Sequence, residues 1–139
     1  MITESSAEID VPTGKISKQL DVFYNPVMKL NRDVSVLVLN SVSDKNMQIA
    51  LPLAGSGVRG IRFLKELKPG KIKNIAFNDY KTADNIKKNL ELNKVKGEVY
   101  GKDANLFLLE SKWFDYIDID PFGSPNPFLD AAIVRLSRQ

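Results

Sequence analysis

Apolar residues along this chain recur with two periods, and the switches between them predict its elements. Through the first 20 residues Ile2, Ala7, Ile9, Val11, Ile16 and Leu20 alternate loosely with polar neighbours, which predicts a short strand or hairpin broken at Pro12 and Gly14. Pro26 then restrains Asn25 to an extended conformation. Met28, Val34, Leu37 and Val38 recur near helical spacing and predict a helix from Met28 to Asn40. Met47 to Leu53 reads as a short apolar strand, followed by a helix through Ile61, Phe63, Leu64 and Leu67 that stops at Pro69-Gly70. A second strand, Asn74 to Phe77, leads to a helix from Thr82 to Asn93 with Ile86 and Leu90 on one face and lysines opposite. Glu98 to Gly101 is a third strand, Leu106 to Leu108 follow in a turn, and Phe114 to Ile119 is a fourth. Pro127 opens a last helix through Leu129, Ala132, Ile133 and Leu136.

Strand and helix thus alternate four times, the signature of an open parallel α/β sheet. Ligands in such sheets bind outside the carboxyl ends of the strands, where the strand order reverses. With the strands ordered 3-2-1-4, four features meet there. The first is Gly55-Ser56-Gly57-Val58-Arg59-Gly60, a G-x-G-x-x-G turn between strand and helix, where Gly55 and Gly57 let a cofactor approach the backbone. The second is Asp79, 24 residues after Gly55, near the roughly 20-residue offset at which an acid meets ribose hydroxyls; it could also cap the next helix, a role for which Thr82 competes. The third is Asp103, which either accepts from an adenine amino group or starts the turn carrying Leu106 to Leu108. The fourth is Asp118-Ile119-Asp120-Pro121-Phe122-Gly123, where an apolar strand ends in acids, a proline and an aromatic ring. A carboxylate and a flat face are what is needed to hold an amine-bearing ring and accept its proton.

Composition narrows the chemistry. The 139 residues, 43% hydrophobic and 27% charged, suffice for one soluble domain with a single core. The net charge of +3 is compatible with nucleic acid, and Lys87, Lys88, Lys94 and Lys96 read as a solvated face. With no Cys and no His there is no disulfide framework and no thiolate zinc site, no metal is expected, and the bases on offer are carboxylates. The apolar runs are too short for a membrane span and the N-terminus lacks a signal-peptide core, which points to a cytoplasmic protein.

A dinucleotide would suit the glycine turn and Asp79, but hydride transfer has no use for Asp-Pro-Phe-Gly after strand four. Asp120-Pro121-Phe122-Gly123 is similar to the (Asn/Asp/Ser)-Pro-Pro-(Tyr/Phe) motif of amino methyltransferases, with the aromatic one place early. Five blocks together, Val22-Phe23-Tyr24-Asn25-Pro26, Leu30-Asn31-Arg32-Asp33, Gly57-Val58-Arg59-Gly60-Ile61-Arg62-Phe63, Asn78-Asp79 and Asp118 to Pro125, resemble the tRNA (guanine-26-N2) dimethyltransferase family, over about residues 8 to 134. The resemblance implies a Rossmann-like sheet that binds S-adenosylmethionine (SAM) and methylates the exocyclic N2 of a tRNA guanine. It implies Arg32 and Arg62 as cofactor contacts meeting the methionine carboxylate, Asp79 at the ribose, and Asp103 with Ala104 at the adenine. It also implies Asp120 as the catalytic acceptor, with Phe122 and Phe23 sandwiching the extruded guanine.

On that resemblance, residues 1–27 form an N-terminal strand and loop extension. Residues 28–139 form a partial methyltransferase domain, truncated after the fourth strand and its helix. Family members continue through further strands and a tRNA-gripping domain, so the open edge of strand four is expected to be completed by a missing C-terminal segment or a partner. The isolated chain is expected to be inactive. Leu51 to Ala54 also lack the acid that many SAM enzymes carry after strand one. Three alternatives predict different ligands: a nicotinamide-dependent oxidoreductase, a non-catalytic tRNA-binding piece, and an amino methyltransferase with another substrate.

Overall fold

Residues 1–11, 24–121 and 123–136 are described by the computed structural model. The N-terminal alternation does fold as a hairpin, β1 (Ile2–Glu4) antiparallel to β2 (Ala7–Ile9). It turns at Ser5-Ser6, where Ser5 adopts a left-handed φ of 51°. The break expected at Pro12 and Gly14 lies outside the described residues, together with Ile16 and Leu20.

Asn25 begins the next unit by accepting the Val27 N–H on its side chain at 3.0 Å, which sets a single 3-10 turn, Pro26–Met28. Helix α1 (Lys29–Ser41) continues from it. Then β3 (Met47–Leu51), α2 (Val58–Glu66), β4 (Ile72–Asn78), α3 (Ala83–Leu92), β5 (Glu98–Tyr100), α4 (Ala104–Glu110), β6 (Tyr116–Ile117) and α5 (Asn126–Arg135) follow. The larger sheet is parallel throughout and ordered β5-β4-β3-β6, the 3-2-1-4 order expected from the sequence.

Strand alternation decides which helix packs where. On one face Ile49 and Leu51 of β3 and Ile75 and Phe77 of β4 meet Ile61 and Phe63 of α2, Ile86 and Leu90 of α3, and Ala7 and Ile9 of the hairpin. The other face offers Ala50 and Ala76, against which Phe107 and Leu108 of α4 and Ala131 and Ala132 of α5 pack. The hairpin is thus part of the main core. Its backbone is fixed by side-chain amides of α3 and the residue after it: Asn89 accepts from Asp10 N at 2.9 Å, while Asn93 accepts from Glu8 N at 2.8 Å and donates to Glu8 O at 2.6 Å. Among the described residues no helix is long and apolar enough to cross a membrane.

The fourth sheet strand is shorter than Phe114 to Ile119. Its start is diverted because the Asp115 carboxylate, not a ladder carbonyl, accepts the Gln48 N–H at 2.7 Å. Phe114 instead forms a parallel bridge with Leu136, its N–H donating to Arg135 O at 2.8 Å. The edge expected to lie open is therefore occupied at that position by the residue that ends α5.

Gly60, the third glycine of the turn motif, sets the spacing between α2 and the sheet. A Cβ there would lie 2.3 Å from Phe77 Cε1 and 2.8 Å from Leu51 Cδ1. Both neighbours are core side chains with no room to yield. Gly60→Ala is expected to cost about 1–3 kcal/mol, read as a lower urea midpoint, whereas a change within error would mean that α2 can shift outward.

Candidate active site

A crevice of about 330 Å³ opens at the carboxyl ends of β3, β4 and β6. Its floor is the turn after β3. Gly55 and Gly57 take φ values of 58° and 86°, which favour glycine, and α2 starts directly behind them. Ser56 Oγ accepts the Val58 N–H at 3.3 Å, and Thr82 Oγ1 donates to Gly55 O at 2.6 Å.

Asp79, just past β4, lines this crevice and also serves the backbone around it. Its Oδ2 accepts from Gly55 N at 3.0 Å, and its Oδ1 accepts from Lys81 N at 3.0 Å and Thr82 N at 3.2 Å. Thr82 stands at the start of α3 without a side-chain cap bond, so Asp79 supplies the capping. A carboxylate has about four acceptor positions, which leaves one on Oδ2 for an incoming hydroxyl. Beside it Asn78, fully buried, ties two loops to the end of β4. Its Nδ2 donates to Pro52 O at 3.0 Å and Lys102 O at 2.9 Å, and its Oδ1 accepts from Lys102 N at 2.9 Å. Asp103 follows as the cap of α4, accepting from Leu106 N at 3.1 Å, and Ala104 is the buried first residue of that helix. Neither residue is part of the crevice lining.

The two arginines assigned to the cofactor are engaged by protein carboxylates. Arg32 borders the crevice, with Nε 2.8 Å and Nη2 2.6 Å from the carboxylate of Glu4, Nη2 donating also to Asn25 O at 2.9 Å. Its guanidinium lies 5.1 Å from the centre of the Tyr24 ring, whose hydroxyl donates to Glu4 at 2.7 Å. Arg62, one turn along α2 from Arg59, points away from the crevice to Glu66 at 2.8 Å, Asp33 at 2.7 Å and Glu4 at 3.1 Å. Burial opposes the charge on Glu4, yet the hydrogen bonds from Arg32, Tyr24 and Arg62 outweigh it and hold the carboxyl below its ordinary value.

At the opposite wall Asp118 and Asp120 leave the end of β6 and meet Arg59. Its Nε lies 3.2 Å from Asp118 Oδ2, its Nη2 lies 3.4 Å from Asp120 Oδ2, and its Nη1 donates to Ser35 Oγ on α1 at 2.7 Å. Pro121 and Gly123 continue the wall, and Tyr24 faces it from the other side. Phe122 and Phe23 lie outside the described residues. The structure therefore brings Gly55, Asp79, Arg32 and Asp120 to one crevice and leaves Gly57, Arg62, Asp103 and Ala104 out of its lining. It adds Tyr24 and Arg59 to the lining and Glu4 and Asn78 behind it, to which sequence reasoning gave no individual role, and it sets Asp118 beside Arg59. Glu4 had one readable signal: two residues from Ile2, it shares the inward face of its strand.

Burial pushes the Asp118 carboxyl up to about 6; Arg59 pulls it down and neighbouring Asp120 pushes it up. A raised acid stabilises the fold fully below its unfolded value, near 3.9, and this contribution is lost as pH rises through about 6. Relative to wild type, Asp118→Asn is expected to gain about 2–3 kcal/mol between pH 4 and pH 7, measured by urea unfolding at both pH values. A difference independent of pH would mean that Asp118 titrates as it does in the unfolded chain.

Comparison with known proteins agrees with the five sequence blocks. The model of the N2,N2-dimethylguanosine tRNA methyltransferase family matches residues 3–139. A tRNA (guanine(26)-N(2))-dimethyltransferase of Methanococcus maripaludis is 43% identical over 142 aligned residues, covering 96% of this chain and 38% of the relative. One from Pyrobaculum neutrophilum is 49% identical over 118 residues, covering 83% and 33%. The structure of Trm1 from Pyrococcus horikoshii with S-adenosyl-L-methionine superposes with a TM-score of 0.79 at 36% identity, over 95% of this chain and 38% of that one. The chain thus spans between a third and two-fifths of the length of these relatives, in a Rossmann-like methyltransferase fold. It belongs to the N2,N2-dimethylguanosine tRNA methyltransferase family.

Proposed function

We propose that this chain carries the cofactor and methyl-acceptor sites of a cytoplasmic enzyme that methylates the exocyclic N2 of guanine 26 in tRNA, once and then again, using SAM. The observation that carries this reading is the meeting, in one crevice, of a glycine turn and ribose-type acid with a two-acid strand tip. The names of the relatives and the SAM complex of the Pyrococcus structure support it.

The residues present fit that cofactor. Asp79 keeps one acceptor position for a ribose hydroxyl, Gly55 brings the turn backbone to the crevice lining, and Asp120, held by Arg59 at only 3.4 Å, suits a cationic sulfonium. When bound, SAM supplies an electrophilic methyl group. The guanine amine is a weak nucleophile because its lone pair is drawn into the ring. Asp120, 41% exposed at the crevice mouth, accepts an N–H of that amine and orients the lone pair toward the methyl. The proton that the amine gives up on methylation would pass to the Asp120 carboxylate. Phe122 and Phe23 are proposed to stack on the guanine, a contact worth about 1–3 kcal/mol per base. Arg32, Arg62, Asp103 and Ala104 stay in the proposal as cofactor contacts. For the arginines this requires the cofactor to share or displace the Glu4 network.

The test is calorimetric titration of the chain with S-adenosylhomocysteine, together with an assay of the complete protein for N2-methylguanine in tRNA. Saturable binding weakened at least about tenfold, or roughly 1.4 kcal/mol, by Asp79→Ala is expected, with product from the complete protein. NADH binding without a response to S-adenosylhomocysteine would overturn the reading in favour of an oxidoreductase. RNA binding without cofactor binding would favour an inert tRNA-binding piece.

A further inference from the structure

Arg59 is a buried cation whose placement the proposed chemistry leaves unexplained. Its side chain is 7% exposed, yet it lies on the crevice wall in the first turn of α2. A buried guanidinium is costly unless its donors are matched. Here each nitrogen of the fork has its own acceptor, on two elements: Ser35 on α1, and Asp118 and Asp120 on the segment that leaves β6. Three separately placed acceptors on one rigid planar group fix their relative positions.

The contacts are unequal. Asp118 is largely buried and sits at 3.2 Å, whereas Asp120 is exposed and its contact is long, at 3.4 Å through Oδ2 alone. Among the described residues, Arg59 therefore hydrogen-bonds Asp120 through Oδ2 and makes no hydrogen bond to its Oδ1.

We propose that Arg59 is a positioning residue for methyl transfer: its guanidinium anchors to Asp118 and Ser35 and draws back Asp120 Oδ2, so that Oδ1 is presented to the acceptor amine. The inference rests on the reading of Asp120 as the proton acceptor. It separates two duties that a two-acid tip leaves mixed, since Asp118 anchors the arginine and Asp120 meets the substrate. Charge alone cannot perform the task, because a lysine ammonium is a single point that does not reach Ser35, Asp118 and Asp120 in fixed register.

The test uses the complete protein with tRNA and two variants chosen to stay folded. Arg59→Lys keeps the charge; Arg59→Gln combined with Asp118→Asn removes the cation together with the buried acid it neutralises. Both are expected to melt near wild type, to bind S-adenosylhomocysteine within about threefold of it, and to lose kcat by at least about tenfold, the scale of 1.4 kcal/mol in a barrier. A KM for SAM that stays put while kcat falls separates positioning from cofactor binding. Variants with wild-type kcat would overturn the proposal alone, and so would a loss confined to KM for SAM. A wild type that forms no N2-methylguanine would overturn the underlying reading, and the proposal with it.

Discussion

Replacing Asp120 by alanine in the complete protein is expected to lower kcat for N2-methylguanine formation by about 10²–10⁴-fold, the range by which a positioned proton acceptor accelerates a reaction. Cofactor affinity should change little, because among the described residues the Asp120 side chain bonds none of the turn backbone and its one ionic partner is Arg59. Folding should be nearly unaffected for the same reason: the side chain is 41% exposed and its contact is long. Asp120→Asn separates the two contributions of the carboxylate. An amide oxygen can still accept an N–H and orient the amine, but it cannot take the proton. Asparagine should therefore recover part of the orientation and none of the proton transfer, leaving kcat between those of alanine and wild type. Single-turnover methylation at saturating SAM is the measurement. Equal rates for Asp120→Ala and wild type would mean that proton removal follows methyl transfer without help from this residue.

Glu4→Ala is the substitution expected to cost most stability. The Glu4 side chain is 1% exposed and gathers Arg32, Arg62 and the Tyr24 hydroxyl. Removing one partner of a buried ion pair leaves the other uncompensated, at a cost of about 3–5 kcal/mol. Arg62 keeps Asp33 and Glu66, but among the described residues Arg32 keeps only the Asn25 carbonyl and the Tyr24 ring. Most of the loss should therefore trace to Arg32. In a double-mutant cycle by urea unfolding, Arg32→Leu in the Glu4→Ala background should add little further loss. A loss below about 1 kcal/mol for Glu4→Ala, the level of exposed pairs, would show that water reaches the network.

The sheet was legible because both of its periods were strong. Ile49 and Leu51 alternate with Ala50, and Ile86 and Leu90 repeat at helical spacing, so strand order and helix placement followed from the alternation of elements. The start of the fourth strand was not legible, since nothing local shows that the Asp115 side chain replaces a backbone carbonyl in the ladder. The hairpin turn was missed because Ser5 takes a conformation that favours glycine. In the site, Gly55, Asp79 and Asp120 could be found because their chemistry is local to a turn or a strand tip. Glu4 and Arg59 could not, because each acts through partners far apart in the chain: Glu4 meets Arg62, 58 residues on, and Arg59 meets Asp120, 61 residues on.

The hairpin's amide ties bear on how the chain is made. Glu8 emerges early from a ribosome, but its Asn93 partner follows 85 residues later. At about 5–20 residues per second the delay is roughly 4–17 s, long against the microseconds in which a hairpin forms. Two short strands alone are at best marginally stable in water. Through that interval the first strands therefore wait open and unprotected, with the acid that will receive Arg32 and Arg62 still in water. The interval ends when α3 is complete, so a translational pause placed before α3 would lengthen the exposure and one placed after it would not.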